Sequence, residues 1–596
     1  MTLAEQLRKV TANALNVLFP DAFVQDAQIT VNRTKPEFAG TYTVVLFPLL
    51  KLLRKKPEEL GNILGEYLVN HTDFVAGYTI AAGFLNLDIK DAFWYDQLRT
   101  SDKKAIELAQ EETPKRIMVE YSSPNTNKPL HFGHMRNIFL GYAVAEILKS
   151  VGHEVIKANL INDRGIHICK SMIAWMKYAK GATPESTGIK GDHFVGDYYV
   201  KFNEVYKQEV DELMASGMLK ESAEKEASIM KEAQELLRKW EAGDKEVYAL
   251  WQKMNSWVYD GFEKTYQQMG VDFAKMYYES DTYLLGKDIV KEGLAKGVLI
   301  QENDGSVWID LTADGLDRKL LLRADGTSVY MTQDLGTAKL KYQDFKLDKS
   351  IYVIGDEQNY HMQVLKLILE KLGEPCASGI HHLSYGMVEL PTGKMKSREG
   401  TVVDADDMIA EMVSLAKQQT EQTGKADGFS DAELDALYHM IGLGALKFYL
   451  LRVDPKKKMV FNPQESIDLH GFTATFIQYA HARICSVLRK ENAMQAIATD
   501  DFKPTHSILK AEKDICVLLE QYPDVLRDAA KELNPALLCQ YAFQLAQLFN
   551  SFYAEHSIAH AENEEKKKFR LLLCQKTAHT LKHCMALLGI QLPEKM

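Results

Sequence analysis

Hydrophobic and polar positions change texture several times along the chain. Up to about residue 113, the alternating runs QITVNR, YTVVLF and GFLNLDI read as half-buried strands, while PEELGNILGEYLVNH carries apolar residues at helical spacing. Together they predict a small α+β domain over 1–113, closed by the linker signals Glu111, Glu112, Thr113 and Pro114. RIMVEYS, a loop rich in proline and asparagine, MRNIFLGYAVAEILKSVG and HEVIKANLI then follow in order. That is a strand, a helix stopped at Gly152 and a second strand, which predicts a parallel sheet with a ligand crevice at its carboxyl edge. Residues 191–257 are mostly charged helix formers and predict helical hairpins inserted into the sheet domain. Strand signals return in SVWIDL, SVYMTQDL, SIYVIGD and LSYGMVEL, through about Val403. Beyond Asp454 the chain reads as helix to its end, with ATFIQYAHARICSVLRK and LCQYAFQLAQLFNSFYAEHS showing the clearest helical period. The expected architecture is multidomain: the α+β domain, an α/β domain over 114–455 and an all-α domain over 456–596.

Composition narrows the class. The chain has 596 residues, 46% hydrophobic and 26% charged, which suits several ordinary globular cores. No apolar run reaches the roughly 20 residues of a membrane span, and MTLAEQLRKVTANAL lacks the apolar core of a signal peptide. The expectation is a cytoplasmic protein. Seven cysteines without a C-x-x-C pair fit reduced thiols, not a disulfide framework or a zinc knuckle. A net charge of -11 argues against indiscriminate nucleic-acid coating, which depends on lysine and arginine neutralising phosphates. Local basic runs such as KLLRKK and KKKFR remain.

Candidate chemistry concentrates in two segments. In SSPNTNKPLHFGHMRN, His131 and His134 lie one turn apart at the expected mouth of a helix, with Gly133 between them. A helix N-terminus favours anions, and a glycine there lets a ligand approach the backbone. Alone, H-x-x-H reads as a capping or surface pair, and a metal would need further ligands that the neighbourhood lacks. No metal site is expected. The second segment, LPTGKMKSREGTVVDADDM, places Lys394, Lys396 and Arg398 between Gly393 and Gly400, a composition suited to a clamp on phosphates.

The pair HFGH and KMKSR resembles the HIGH and KMSKS signatures of class I aminoacyl-tRNA synthetases, and VEYSSPNTNKPLHFGHMRN is similar to the arginyl-tRNA synthetase family in particular. The resemblance covers nearly the whole chain, including ATFIQYAHARI, LAQLFNSFY and the terminal LLGIQLPEKM. It implies a Rossmann-type catalytic domain with a parallel sheet, an additional N-terminal domain on the tRNA elbow and a helical anticodon-binding domain. It also implies ATP and L-arginine as substrates, Mg²⁺, tRNA(Arg) as partner and a monomer. By the same match, ATP contacts fall on His131, Gly133, His134, Met387, Val388 and Lys394. Glu120, Tyr330 and Asp334 would hold the guanidinium, Asn125 and Gln358 the α-amino group, and Glu279 would support them. Phe84 and Asn86 are expected to read a splayed base at the elbow, and Gln478, Tyr479 and Arg483, with His481, to face the anticodon.

One departure bears on mechanism. The fourth position of KMSKS is a lysine in the signature and Ser397 here. Lys128 stands in the K-P-x-H arrangement shown by arginyl enzymes that lack this lysine, and is the expected substitute; Lys396 and Arg398 are its rivals. Two other readings share part of the pattern. A small-molecule adenylyltransferase would have no use for the long helical C-terminal region. A non-catalytic tRNA-binding paralogue would have no need of His131, His134, Lys394, Glu120 and Asp334. No editing domain is expected, because a site that pairs a guanidinium leaves its carboxylates unpaired against a neutral analogue.

Overall fold

The computed structural model describes residues 1–35, 37–99, 102–391, 403–422, 428–493 and 507–596. The main crevice is set by a five-stranded parallel sheet in the order Ile380–Tyr385, Lys349–Gly355, Arg116–Glu120, Glu154–Ile161, Lys275–Tyr278. The chain leaves the central strand Arg116–Glu120 toward one neighbour first and reaches the other much later. The carboxyl ends therefore open at a switch of direction, where such sheets bind ligands. Ile117 and Val119 of the central strand's buried run pack on the side of the helix Phe132–Ser150, while Met118 joins Ile156 and Tyr277 in a separate cluster. Gly141 of that helix passes so close to Tyr121 that a Cβ there would lie 2.3 Å from the tyrosine.

The inserted helices are Gly191–Ala215, Lys220–Glu226, Ser228–Glu241 and Lys245–Met269, so the helical region runs beyond the expected residue 257. SVWIDL does not join the parallel sheet. Its strand Val307–Ile309 is the middle of a separate antiparallel sheet with Ile300–Gln301 and Lys319–Leu322. SVYMTQDL is a further correction, because Tyr330–Phe345 is a helix with Val329 at its N-cap. A short apolar run cannot be told from the first turn of a helix by alternation alone. Here the buried apolar side chains are Met331, Leu335 and Ala338, a helical spacing.

The N-terminal residues form a four-stranded antiparallel sheet, ordered Val31–Arg33, Tyr42–Val45, Phe84–Ile89, Val75–Ala81. The C-terminal part is built from the helices Ala474–Lys490, Lys510–Glu520, Tyr522–Glu532, Ala536–Glu555 and Glu564–Leu587. Asp431–Leu451 is long and apolar enough to cross a membrane by composition, yet its residues from Leu437 to Leu451 are mostly core, so burial accounts for the apolarity. All seven cysteines are buried and free of disulfides.

The N-terminal sheet docks on the helical region through a buried carboxylate. Glu520 is 2% exposed; its Oε1 accepts from the Leu3 amide at 2.5 Å and its Oε2 from the Tyr42 hydroxyl at 2.7 Å. Burial, partly offset by those two donors, lifts its pKa from an ordinary 4.5 to about 7. An acid with a raised folded-state pKa stabilises the fold in its protonated form. That stability is complete below about 4.5 and is lost as pH rises toward 7. Glu520→Gln, which stays neutral, should abolish this loss, worth about 3 kcal/mol at most by the size of the shift. Thermal unfolding across pH 4.5–8 checks it: the parent should lose stability over this window relative to the variant.

Candidate active site

His131 is the N-cap of the helix Phe132–Ser150. Its amide donates to Nδ1 of His134 at 3.1 Å, and the two rings lie 3.8 Å apart. The chain that follows the second signature segment is bound to this loop: Phe132 N donates to Val403 O at 2.9 Å, Ala405 N to Leu130 O at 3.0 Å, and His131 bridges Asp404. Lys394, Lys396, Ser397 and Arg398 themselves lie outside the described residues. Burial, then the positive charge of Lys128, lowers the His131 pKa to about 4. Burial, then His131 and Lys128, holds His134 well below its ordinary value. Both imidazoles are therefore neutral donors at physiological pH, and they can contact anionic oxygen without a charge of their own.

Two cavities meet at His131. The larger, about 570 Å³, takes Glu120, His131, Gly133, His134, Tyr330, Asp334, Gln358 and Met387 into its walls. The smaller, about 380 Å³, is lined by Asn125, Lys128, His131, His193 and Asp404. Asn125 is exposed and belongs to the smaller cavity, apart from the residues it was expected to assist. Lys128 is also on that side. Burial lowers its pKa, and among the described residues no carboxylate stands within ion-pair distance of it. Val388 is 4% exposed and pairs with Met459; it supports Met387 instead of facing the cavity.

The acidic end of the larger cavity is asymmetric. Asp334 Oδ2 lies 2.6 Å from Nε2 of His361, and Tyr330, one turn earlier on the same helix, is 77% exposed. Glu120 ends the central strand beside Tyr352, and its Oε2 lies 2.5 Å from Lys341 Nζ. Glu279 is not in the cavity wall. Burial outweighs Arg164 and, with Asp163 and Asp334, pushes its pKa up to about 7.

Several residues that hold the site were not singled out in the sequence. Ser122 and Ser123 have φ of 76° and 47°, a costly backbone for non-glycine residues. Asn137 accepts from Ser122 N at 2.6 Å and donates to Val353 O at 2.6 Å. Asn159 accepts from Ser123 N at 3.0 Å, and Tyr266 contacts Ser122 Oγ at 2.7 Å. Arg136, 1% exposed, donates to Gly386 O at 2.6 Å and Lys457 O at 2.8 Å. The signal was available: Arg136 and Asn137 are polar residues inside an otherwise apolar helix. Asp163 accepts from the amide and hydroxyl of Ser280 and from the Tyr259 hydroxyl.

Among the expected RNA-facing residues the structure divides. Tyr479 and Arg483 line an open groove with Arg489, Lys490, Tyr553 and Met596, and the Arg483 guanidinium lies over the Tyr479 and Tyr553 rings. Gln478 and His481 are corrections. They are buried and bind the carbonyls of Gln591 and Pro593, so they anchor the C-terminal tail. Phe84 is half-buried and edge-on to Phe47. Asn86 is 2% exposed, with Oδ1 accepting from Thr43 and Nδ2 unpartnered, which is not the open amide expected of it.

Residues 97–462 match the family model for the class I tRNA synthetase (R) catalytic domain, residues 477–596 the DALR anticodon binding domain, and residues 2–89 the arginyl-tRNA synthetase N-terminal domain. The chain belongs to the arginyl-tRNA synthetase family. It is 50% identical to an arginine–tRNA ligase of Parabacteroides distasonis and 51% identical to one of Bacteroides thetaiotaomicron, each covered over 100% of both chains. Among solved structures it resembles a Thermus thermophilus arginyl-tRNA synthetase with a TM-score of 0.79, 25% identity and complete coverage of both chains. A Plasmodium falciparum arginyl-tRNA synthetase, at 18% identity and TM-score 0.77, shares the fold. In a synthetase, the neutral His131 and His134 have a measurable signature. Followed by NMR, neither imidazole of the free enzyme should gain a proton as pH falls from 8 to about 5; a midpoint near 6.5 for either ring would contradict their burial.

Proposed function

We propose that the chain is an ATP-dependent arginine–tRNA ligase. The observation that carries this reading is the composition of one cavity: the His131, Gly133 and His134 turn on one side, and the carboxylates Glu120 and Asp334 with Tyr330 on the other. ATP would lie along the helix mouth, with Met387 beside it. The planar, permanently charged guanidinium would lie against the carboxylates, which suit its fork of donors. Gln358, at the cavity edge, is positioned for the α-amino group; Asn125, on the smaller cavity, supports that role less well.

In the first step a carboxylate oxygen of arginine attacks the α-phosphorus. The new O–P bond forms as the bond to pyrophosphate breaks, giving arginyl-adenylate. In the second, a hydroxyl of the 3′-terminal ribose of tRNA(Arg) attacks the arginyl carbonyl, and AMP leaves. The protein's contribution is placement plus donors preorganised toward growing negative charge. His131 and His134 supply neutral donors, and Lys128 a cation close enough to depress both their pKa values.

Mg²⁺ would arrive mainly on the phosphates, keeping much of its water shell. The cluster of His193, Asp404 and Asp406 does not fit it as a dedicated cage, because Lys190 Nζ already lies 2.6 Å from Asp406 Oδ2. The groove of Tyr479, Arg483 and Tyr553 offers stacking faces beside cations for anticodon bases. It also favours a ligase over a small-molecule adenylyltransferase, which would have no use for it. The seven buried free thiols suit the reducing cytoplasm.

Amino-acid-dependent pyrophosphate exchange, run with and without tRNA, tests the reading; exchange with arginine is expected, and exchange with a different amino acid would overturn it. Asp334→Asn should raise the arginine KM about ten- to a hundredfold, the usual loss for a hydrogen bond to a charged group, with little change for ATP. Equal effects on both substrates would remove Asp334 from the arginine pocket. Lys128→Ala should slow single-turnover adenylate formation roughly a hundredfold. A near-parental rate in that variant, with collapse in Lys396→Ala or Arg398→Ala, would assign the missing charge to the signature loop instead.

A further inference from the structure

One charged group in the larger cavity has no part in the steps above. Lys341 lies on the helix Tyr330–Phe345, two turns beyond Asp334, and lines the same cavity. It is 1% exposed. Its Nζ lies 2.5 Å from Glu120 Oε2 and 4.5 Å from the centre of the Tyr352 ring. No other lysine or arginine is among the described residues of that wall. Burial pulls the ammonium toward neutrality, but Glu120 and Tyr352 outweigh it and keep the pKa above its ordinary value. The group is therefore a fixed positive charge inside a pocket read as the receptor for another one.

We propose that Lys341 is a positioning and specificity-determining residue, which presets Glu120 for a guanidinium and turns away amino acids that end in a primary ammonium. The inference rests on the reading of Glu120 and Asp334 as the arginine pocket. A buried carboxylate needs a partner to offset the cost of desolvating its charge, and Glu120 is 7% exposed. Lys341 supplies that partner while the pocket is empty and fixes the direction in which the carboxylate points. With one carboxylate oxygen engaged, Glu120 offers a shared contact. A guanidinium spreads its charge over a planar fork, is weakly hydrated and can share that carboxylate. The compact ammonium of lysine would have to approach the same carboxylate beside a second ammonium, with no fork to reach past it. Discrimination then comes from a repulsive element as well as an attractive one.

The test uses the full-length enzyme and amino-acid-dependent pyrophosphate exchange with tRNA present. Lys341→Met should raise the arginine KM more than tenfold with the ATP KM within about twofold, and should raise the lysine-to-arginine ratio of kcat/KM at least tenfold. A parental arginine KM, or equal losses for both substrates, would overturn the proposal, the second because it marks a merely structural role. If Lys341→Met does not fold, Lys341→Met/Glu120→Gln removes both buried charges together. Compared with Glu120→Gln alone, it should accept lysine at least tenfold better relative to arginine; an unchanged ratio overturns the proposal. Glu120→Gln also separates the two layers of inference. If it leaves the arginine KM unchanged, the pocket reading itself fails; if it raises that KM while Lys341→Met does not, the role of Lys341 alone is refuted.

Discussion

The site depends on how one turn of the helix Phe132–Ser150 spends its two buried polar side chains. Arg136 gathers carbonyls from Gly386, Pro455 and Lys457, and Asn137 ties Val353 to the amide of Ser122. Burying a guanidinium is tolerable only with its donors satisfied. Its position therefore dictates where those two stretches of backbone can run. The same helix begins at His131 and His134, so the histidine pair, the strained serine turn beside Glu120 and the segment carrying Met387 are placed by one rigid element. A site fixed in this way can hold donors at the distances preorganisation requires, which a set of independent loops could not.

What the sequence revealed follows from how far each signal acts. The strand, loop and helix around HFGH were legible because the period switch, Gly152 and the histidine spacing are local. The helical C-terminal region was legible for the same reason, in the apolar spacing of ATFIQYAHARI. Tyr330 to Asp334 was misread as strand because four residues of alternation fit either structure, and only the burial of Met331, Leu335 and Ala338 settles the period. Gln478 and His481 were misassigned because a polar residue on a mostly apolar helix can serve solvent, RNA or a buried carbonyl. The carbonyls concerned belong to Gln591 and Pro593, more than a hundred residues away. The pairing of Glu120 with Lys341 was hidden likewise, since nothing in VEYSS or TAKLKY indicates that the two segments meet.

The two ends of the crevice differ in their electrostatics. At the histidine end burial holds His131 and His134 neutral, so their donors carry little field of their own and the cation there is Lys128. At the opposite end Lys341 stands beside the buried carboxylate of Glu120, and His361 beside the carboxylate of Asp334. A crevice with two bare carboxylates would bind any cationic side chain strongly. One whose carboxylates are already partnered binds more weakly, but it holds a single geometry before the substrate arrives. Selectivity then depends on whether the incoming cation can share a carboxylate, and a planar fork shares where a compact ammonium must displace.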